Sequence, residues 1–386
     1  MNTQDDIVIA GAARTPTGRF LGSLANIAAP QLGAHAIAGA LGDFPGERVD
    51  AVIMGEVLQA GVGQNPAKQA ALAAGITPNA HTLTVNKVCL SGLTAVIDAA
   101  RLLRSREADV VVAGGMESMS QSPHLLPRSR FGLRYGDARL IDHLAHDGLR
   151  AADLDIAMGE LSERYADRYP VTREDQDAFS VLSHERALKA RKDGTFAKEI
   201  VEVEGLDHDE GVREGVSAES LRRLRPAFTA DGSITAGNAS QLSDGAAALL
   251  LCRREYADAH GLRVLAVVRA PGQVAGPDSS LQHQPARALE RALKRQGWEA
   301  SDLDAIEINE AFAAVAVYSA RELGIEWEKV NIHGGAIAMG HPIGASGARL
   351  AVHLAHQIAA GKISRAGAAL CGGGGQGEAL LFEASV

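Results

Sequence analysis

A layered α/β fold with largely buried sheets is predicted by three features of this 386-residue sequence. Short apolar runs, many ending in glycine, read as buried strands. Helical periods lie between many of them. A loop–helix–strand–Gly-Gly pattern occurs twice along the chain. Strands that alternate with helices imply sheets covered on both faces.

In chain order the strand-like runs are "IVIAGA" (7–12), "AVIMG" (51–55), "DVVVAGG" (109–115), "AAALLLC" (246–252), "LAVVRA" (265–270), "AIEIN" (305–309) and "AGAALCGGGG" (366–375). Helical spacing of apolar residues runs from Leu93 to Leu103 and from Ala345 to Ile358. Ser91-Gly92 is followed by a helix, the strand "ADVVVAGG" and "MES". Ser346-Gly347, about 255 residues later, is followed by a helix, the strand "AGAALCGG" and "GGQG". "DIVIAGAARTP" has a rough counterpart in "DLDAIEINEAF". Two similar halves are therefore expected, 1–119 and 247–386, with 120–246 inserted between them. The insertion is charged, arginine-rich and expected to be mainly helical. Its arginines suit an anionic ligand or, equally, a solvated helical face.

Hydrophobic residues make up 46% and charged residues 22%, an ordinary profile for a globular chain of two or three packed units. A formal charge of -9 argues against nucleic acid as a partner. Three distant cysteines make no disulfide framework, and without CxxC or HExxH a metal site has no support. No apolar run is long enough to span a bilayer. "MNTQDDIVIAGAARTPTG" lacks a basic flank and an apolar signal core, and "ALLFEASV" carries no peroxisomal tripeptide. The cytoplasm is the expected compartment.

Four stretches carry the chemistry. In "NKVCLSGL" (86–93) Cys89 lies where a loop becomes a helix, and a helix N-terminus favours a thiolate. A buried inert cysteine is the alternative. "INEAFA" (308–313) puts Asn309 and Glu310 directly after a strand, a place for ligand contacts or for ordinary caps. "HGGAIAMGHPIGASGAR" (333–349) holds five glycines around His341-Pro342, which implies close backbone approach. "CGGGGQG" (371–377) offers backbone N–H groups beside Cys371. It is neither a P-loop nor a dinucleotide fingerprint, which argues against nucleotide hydrolysis and NAD. Two cysteines, a histidine and an asparagine suit acyl transfer through a thioester, with the second thiol moving a proton at carbon. Cys252, ending an apolar run, reads as structural.

Taken together, these stretches resemble the thiolase family. "ARTPTGRFLGSL", "NKVCLSGL", "AGGMESMSQSPHLL", "RPAFTADGSITAGNASQLSDGAAALLL", "INEAFA", "GGAIAMGHPIGASGAR" and "CGGGGQG" stand in that family's order and spacing through nearly the whole chain. The resemblance implies a five-layered α/β/α/β/α fold of two duplicated halves, with 120–246 as a loop domain covering coenzyme A. It implies that Cys89 takes the acyl group and that His341 activates it and helps hold a thioester oxygen. Cys371 would be acid and base at the α-carbon. Asn309 would hold a water that, with His341, forms one oxyanion hole, and the N–H groups of Cys89 and Gly373 would form the other. Ser220 and Ser240 would face coenzyme A, with Ala239, Ala311, Phe312 and Met158 near the pantetheine.

The implied reaction is ping-pong: reversible Claisen condensation of acetyl-CoA with acyl-CoA, or thiolysis of a 3-ketoacyl-CoA. Coenzyme A is a substrate, and no cofactor or metal is expected. A homodimer or homotetramer is implied, the latter through "SPHLLPRSRFGLRYGD". One departure bears on substrate: biosynthetic members carry histidine before Met-Gly, whereas Ala157 precedes Met158 here. A degradative thiolase of broad chain length is thus the alternative. A decarboxylating condensing enzyme is disfavoured by Cys371. A non-catalytic acyl-CoA binding protein is disfavoured by the presence of all four residues.

Overall fold

The structure is a computed structural model that describes residues 3–385. Nine principal strands are β1 (Ile7–Arg14), β2 (Ala51–Gly55), β3 (His81–Val85), β4 (Val110–Ser118), β5 (Ser243–Arg253), β6 (Ala266–Ala275), β7 (Ala305–Ile308), β8 (Arg365–Gly372) and β9 (Gln376–Glu383). The principal helices are α1 (Ala29–Leu41), α2 (Pro66–Ala73), α3 (Ser91–Arg104), α4 (Arg173–Lys192), α5 (Gln284–Gln296), α6 (Ala313–Glu322) and α7 (Ser346–Ala359). All seven expected strands form. Two were not foreseen: β3, whose "HTLTV" is half exposed, and β9, which directly follows the glycine run.

The strands hydrogen-bond in the order β7-β8-β9-β6-β1-β5-β4-β2-β3. In the first half β2 runs parallel to both β3 and β4, and β4-β5-β1 are antiparallel. In the second half β7 is parallel to β8, and β8-β9-β6 are antiparallel. A parallel bridge from Ile306 to Val330 stands where β3 would be. The duplication is real, but two expected correspondences change. β5 lies between β1 and β4, so the run expected to open the second half at 247 completes the first. β7 is the counterpart of β2, and β1 is matched by β6, so "DLDAIEINEAF" does not correspond to "DIVIAGAARTP". The halves join where Ile7–Ile9 pairs antiparallel with Ala266–Val268.

Side-chain alternation builds the layers. Ile7 and Ile9, Val111 and Ala113, Leu249 and Leu251, and Leu380 and Phe382 face a middle layer made of α3 and α7. Val8, Val112, Ala248 and Leu250 face α1 and α2 on one outside. Ile306, Ile308, Ala369 and Leu381 face α5 and α6 on the other. The result is the five-layered α/β/α/β/α arrangement. Because α7 is covered by both half-sheets, it is buried all round except at His356 and Ala359.

The insertion is less helical than expected. Within it α4 is the one long helix, beside short ones at Met158–Arg164 and Ala218–Arg222, and most of the rest is irregular. It is pinned to the halves by a buried network. Arg14 bonds Asp209 through two nitrogens (2.7 and 2.9 Å) and Glu199 through Nε (2.8 Å), and Glu199 also meets His353 Nδ1 at 2.8 Å. Burial alone would raise the Glu199 carboxyl, yet His353 and Arg14 hold it well below the usual range.

Candidate active site

Cys89 sits in a tight turn just before α3. Val88 has φ 52°, a left-handed conformation unusual for a β-branched residue. Local bonds hold it there: Val88 N–H donates to Asn86 Oδ1 (3.1 Å), Lys87 N–H to Ser91 Oγ (2.8 Å), and Ser91 Oγ to the Val88 carbonyl (2.6 Å). The expected lowering of the Cys89 thiol does not occur in the resting site. The helix begins only at Ser91, and burial followed by the nearby Glu117 pushes the thiol up to about 12, against its own backbone N–H. Sulfur therefore rests as a neutral thiol.

His341 lies in the glycine-rich stretch, between the short helix Ala336–Met339 and α7. Ser346 Oγ donates to the Pro342 carbonyl (2.9 Å), so its lone pair accepts from His341 Nδ1–H (2.5 Å). That leaves Nε2 with the lone pair, facing Asn309 Nδ2 at 3.3 Å. Burial, then Arg349, pushes the imidazole down to about 3, so it is a neutral base at ordinary pH. Asn309 follows β7, fully buried, and its Oδ1 has no protein partner. An acceptor in that state suits a bound water.

Two buried glutamates hold this stretch: Glu310, which the sequence offered as a ligand contact or a cap, and Glu117, which it did not single out. Glu310 accepts from Ser183 Oγ (2.7 Å), Asn331 Nδ2 (2.7 Å) and the Ile337 N–H (2.9 Å). A Cβ on Gly335 would lie 2.3 Å from the Glu310 carboxyl carbon, which explains one glycine of the run. Glu117 accepts from the N–H groups of Val57 (3.1 Å), Leu58 (3.1 Å) and Gly344 (2.8 Å). The signal for Glu310 was its place directly after a strand. Glu117 had none.

Cys371 ends β8, buried, and burial followed by the neighbouring Cys89 raises its thiol. One small cavity of about 50 Å³ is lined by Cys89, His341, Cys371 and Gly373 together with Met158, Ser240, Ala311 and Phe312. An adjoining cavity of about 310 Å³ is lined by Met158, Ala239, Ser240, Phe312 and His341. Its walls include Ala157, Phe228, Leu242 and Ile343, and it leads toward the loop region. Ser220 lines neither. It is exposed on the short helix Ala218–Arg222, bonding Ser217. Cys252 is buried in the outer core under α1, as expected of a structural cysteine.

Residues 7–255 match the family model "Thiolase, N-terminal domain", and residues 262–384 match "Thiolase, C-terminal domain". The chain belongs to the thiolase family. The gap between the two matches falls between β5 and β6, where the sheet passes from one half to the other. The chain is 52% identical over 388 residues to a probable acetyl-CoA acetyltransferase of Mycolicibacterium smegmatis, covering 98% of this chain and 100% of that protein. It is 46% identical to an acetyl-CoA acetyltransferase of Pseudomonas aeruginosa, and 43% identical to a probable acetyl-CoA acetyltransferase of Escherichia coli. Each of these two matches covers 98% of this chain and 99% of the relative. This thiolase is an acyltransferase. Among its described residues no helix is long and apolar enough to cross a membrane, and no group of three or more His, Cys, Asp or Glu side chains is placed to hold a metal ion.

Proposed function

We propose that this thiolase condenses two acetyl-CoA reversibly to acetoacetyl-CoA and CoA, with Cys89 as the acyl carrier. The observation that carries the reading is the single small cavity shared by Cys89, Cys371 and a His341 whose Nε2 is the free base. Because both thiols rest neutral, the Cys89 proton passes to His341 Nε2 as sulfur attacks the thioester carbonyl. Negative charge then gathers on the oxygen of the carbon bonded to Cys89, where the N–H groups of Cys89 and Gly373 hold it. CoA leaves as a thiolate without needing an acid, and only after acylation is complete does it take the Cys371 proton. The Cys371 sulfur next removes the α-proton of a second acetyl-CoA, and that carbon attacks the Cys89 acyl group. In this step protonated His341 Nε2 and a water on Asn309 hold the enolate oxygen, and the N–H groups of Cys89 and Gly373 again hold the acyl oxygen. Cys89 leaves and recovers its proton from His341.

Coenzyme A enters this scheme as substrate and needs no resident cofactor. Ala239, Ser240, Met158, Ala311 and Phe312 suit its pantetheine arm, since they line the path to the thiols. Ser220, exposed and outside both cavities, is assigned to the coenzyme A face of the loop region only by the family pattern. The reading further assigns the enzyme to the cytoplasm, to acyl-CoA and fatty acid metabolism, and to a homodimer or homotetramer. Exposed Phe131, Leu133 and Tyr135 in the "SPHLLPRSRFGLRYGD" region support self-association.

Cys89→Ala is expected to abolish the acyl-enzyme seen by mass after mixing with acetyl-CoA. Cys371→Ala is expected to acylate normally yet fail to make or cleave acetoacetyl-CoA. Equal acylation of wild type and Cys89→Ala, or near wild-type turnover by Cys371→Ala, removes the assignment.

A further inference from the structure

Glu378 is fully buried on β9, seven residues beyond Cys371, where nothing in the proposed chemistry uses it. Its strand pairs it with Leu370, one residue before Cys371. Its carboxylate reaches into the other half of the molecule. Oε1 accepts from Lys87 Nζ at 3.1 Å, and Oε2 accepts from Thr94 Oγ1 on α3 at 2.6 Å. Gln273 Nε2 on β6 also donates to Oε1. Lys87 and Thr94 flank Cys89, so one carboxylate ties the Cys89 turn and its helix to the hairpin that carries Cys371. The two loops also touch directly. A Cβ on Gly372 would lie 2.6 Å from Leu90 Cγ, and one on Gly373 would lie 3.5 Å from a Val88 methyl.

We infer that the Lys87–Glu378 link is a positioning device that sets the spacing between the two thiols, and so acts on the carbon–carbon step more than on acylation. This rests on the assignment of Cys371 made above. Acylation needs Cys89 and His341, and each has its own anchors: the Asn86–Ser91 bonds for the first, Ser346 and Asn309 for the second. The carbon–carbon step needs both thiols within reach of one α-carbon. A shift of about 1 Å between bound groups can cost ~100-fold in such a step.

The test separates the two half-reactions in the full-length enzyme. Acylation is read as the burst of CoA released from acetyl-CoA. The carbon–carbon step is read as cleavage of acetoacetyl-CoA. Glu378→Gln keeps the shape and removes the charge; Lys87→Met removes the partner and leaves Thr94 and Gln273 in place should the first variant fold poorly. Each is expected to lower kcat for cleavage by between about 10- and 100-fold, with the burst rate and the KM for CoA close to wild type. Lys87→Arg is expected to restore most of the loss. The double variant Lys87→Met/Glu378→Gln is expected to be no worse than either single one. Equal slowing of both half-reactions, or no slowing of either, overturns the inference. Cys371→Ala run alongside isolates the underlying assignment: if that variant still cleaves acetoacetyl-CoA, the role of Cys371 falls instead.

Discussion

Neutral partners face each other at the centre of this site: a thiol held protonated by burial and an imidazole held unprotonated by burial and Arg349. The same low-polarity interior acts on Glu56, whose two carboxylate oxygens have no hydrogen-bond partner among the described residues. Burial, then Glu117, raises its carboxyl from 4.5 to about 9. The folded state thus keeps a proton that the unfolded chain releases above 4.5. The contribution of this group to stability is full below that value and is lost as pH rises toward 9. Glu56→Gln is expected to flatten the fall of Tm across that range, measured by thermal melts at several pH values. An unchanged profile would show that the side chain is not held neutral. At this scale the sequence picked out residues that the structure brings to one cavity, and it left the charge of Cys89 open. Its helix-start position made a thiolate possible for Cys89, with a buried neutral thiol as the alternative. Desolvation, which depends on everything packed around the sulfur, outweighs a dipole that begins two residues further on.

At the scale of elements, the repeated Ser-Gly steps meet each other. A Cβ on Gly347 would lie 2.5 Å from the Leu93 backbone nitrogen, and one on Gly92 would lie 2.8 Å from that of Ala348. α3 and α7 therefore cross backbone to backbone, and the chain leads into each helix from a stretch proposed to carry the chemistry. Gly347→Ala must push the helices apart at a cost of about 1–3 kcal/mol. The expected result is a lower Tm together with a slower CoA burst, since Ser346 and its bond to His341 move with the helix. A variant that melts lower but acylates at the wild-type rate would separate packing from catalysis. Both Ser-Gly steps were legible as helix starts, because apolar periodicity followed each. Their mutual contact was not, because it joins residues far apart in the chain. For the same reason β5 was assigned to the wrong half: its apolar run reads alike in either sheet, and only its pairing with β1 and β4 decides.

For the whole molecule, the inserted region and the two halves enclose the apolar cavity of about 310 Å³ beside His341. Ala157 contributes only a methyl group to its wall. Thiolysis is therefore expected to extend beyond four-carbon 3-ketoacyl-CoA, and Ala157→His is expected to restrict it by filling that space. A substrate series from C4 upward decides the matter, and cleavage of C4 alone by the wild type contradicts it. Sequence patterning was enough for the layered class and the duplication. It was not enough for the shape of the enclosed space, which depends on how the mostly irregular chain of the insertion folds back over the halves.

The burial of α7 on every side has a further consequence in hydrogen exchange. Amides in α7 and in the buried start of α3, Ser91 to Ile97, have no route to solvent short of parting the two half-sheets, so they should exchange only through global opening. In a lone protomer the exposed chain of 128–140 should exchange orders of magnitude faster. Exchange mapped by mass spectrometry is expected to show Cys89 and His341 at the mouths of the slowest segments. Substrate would then be admitted by breathing of the cover, while the reacting groups stand on the part of the protein that opens last.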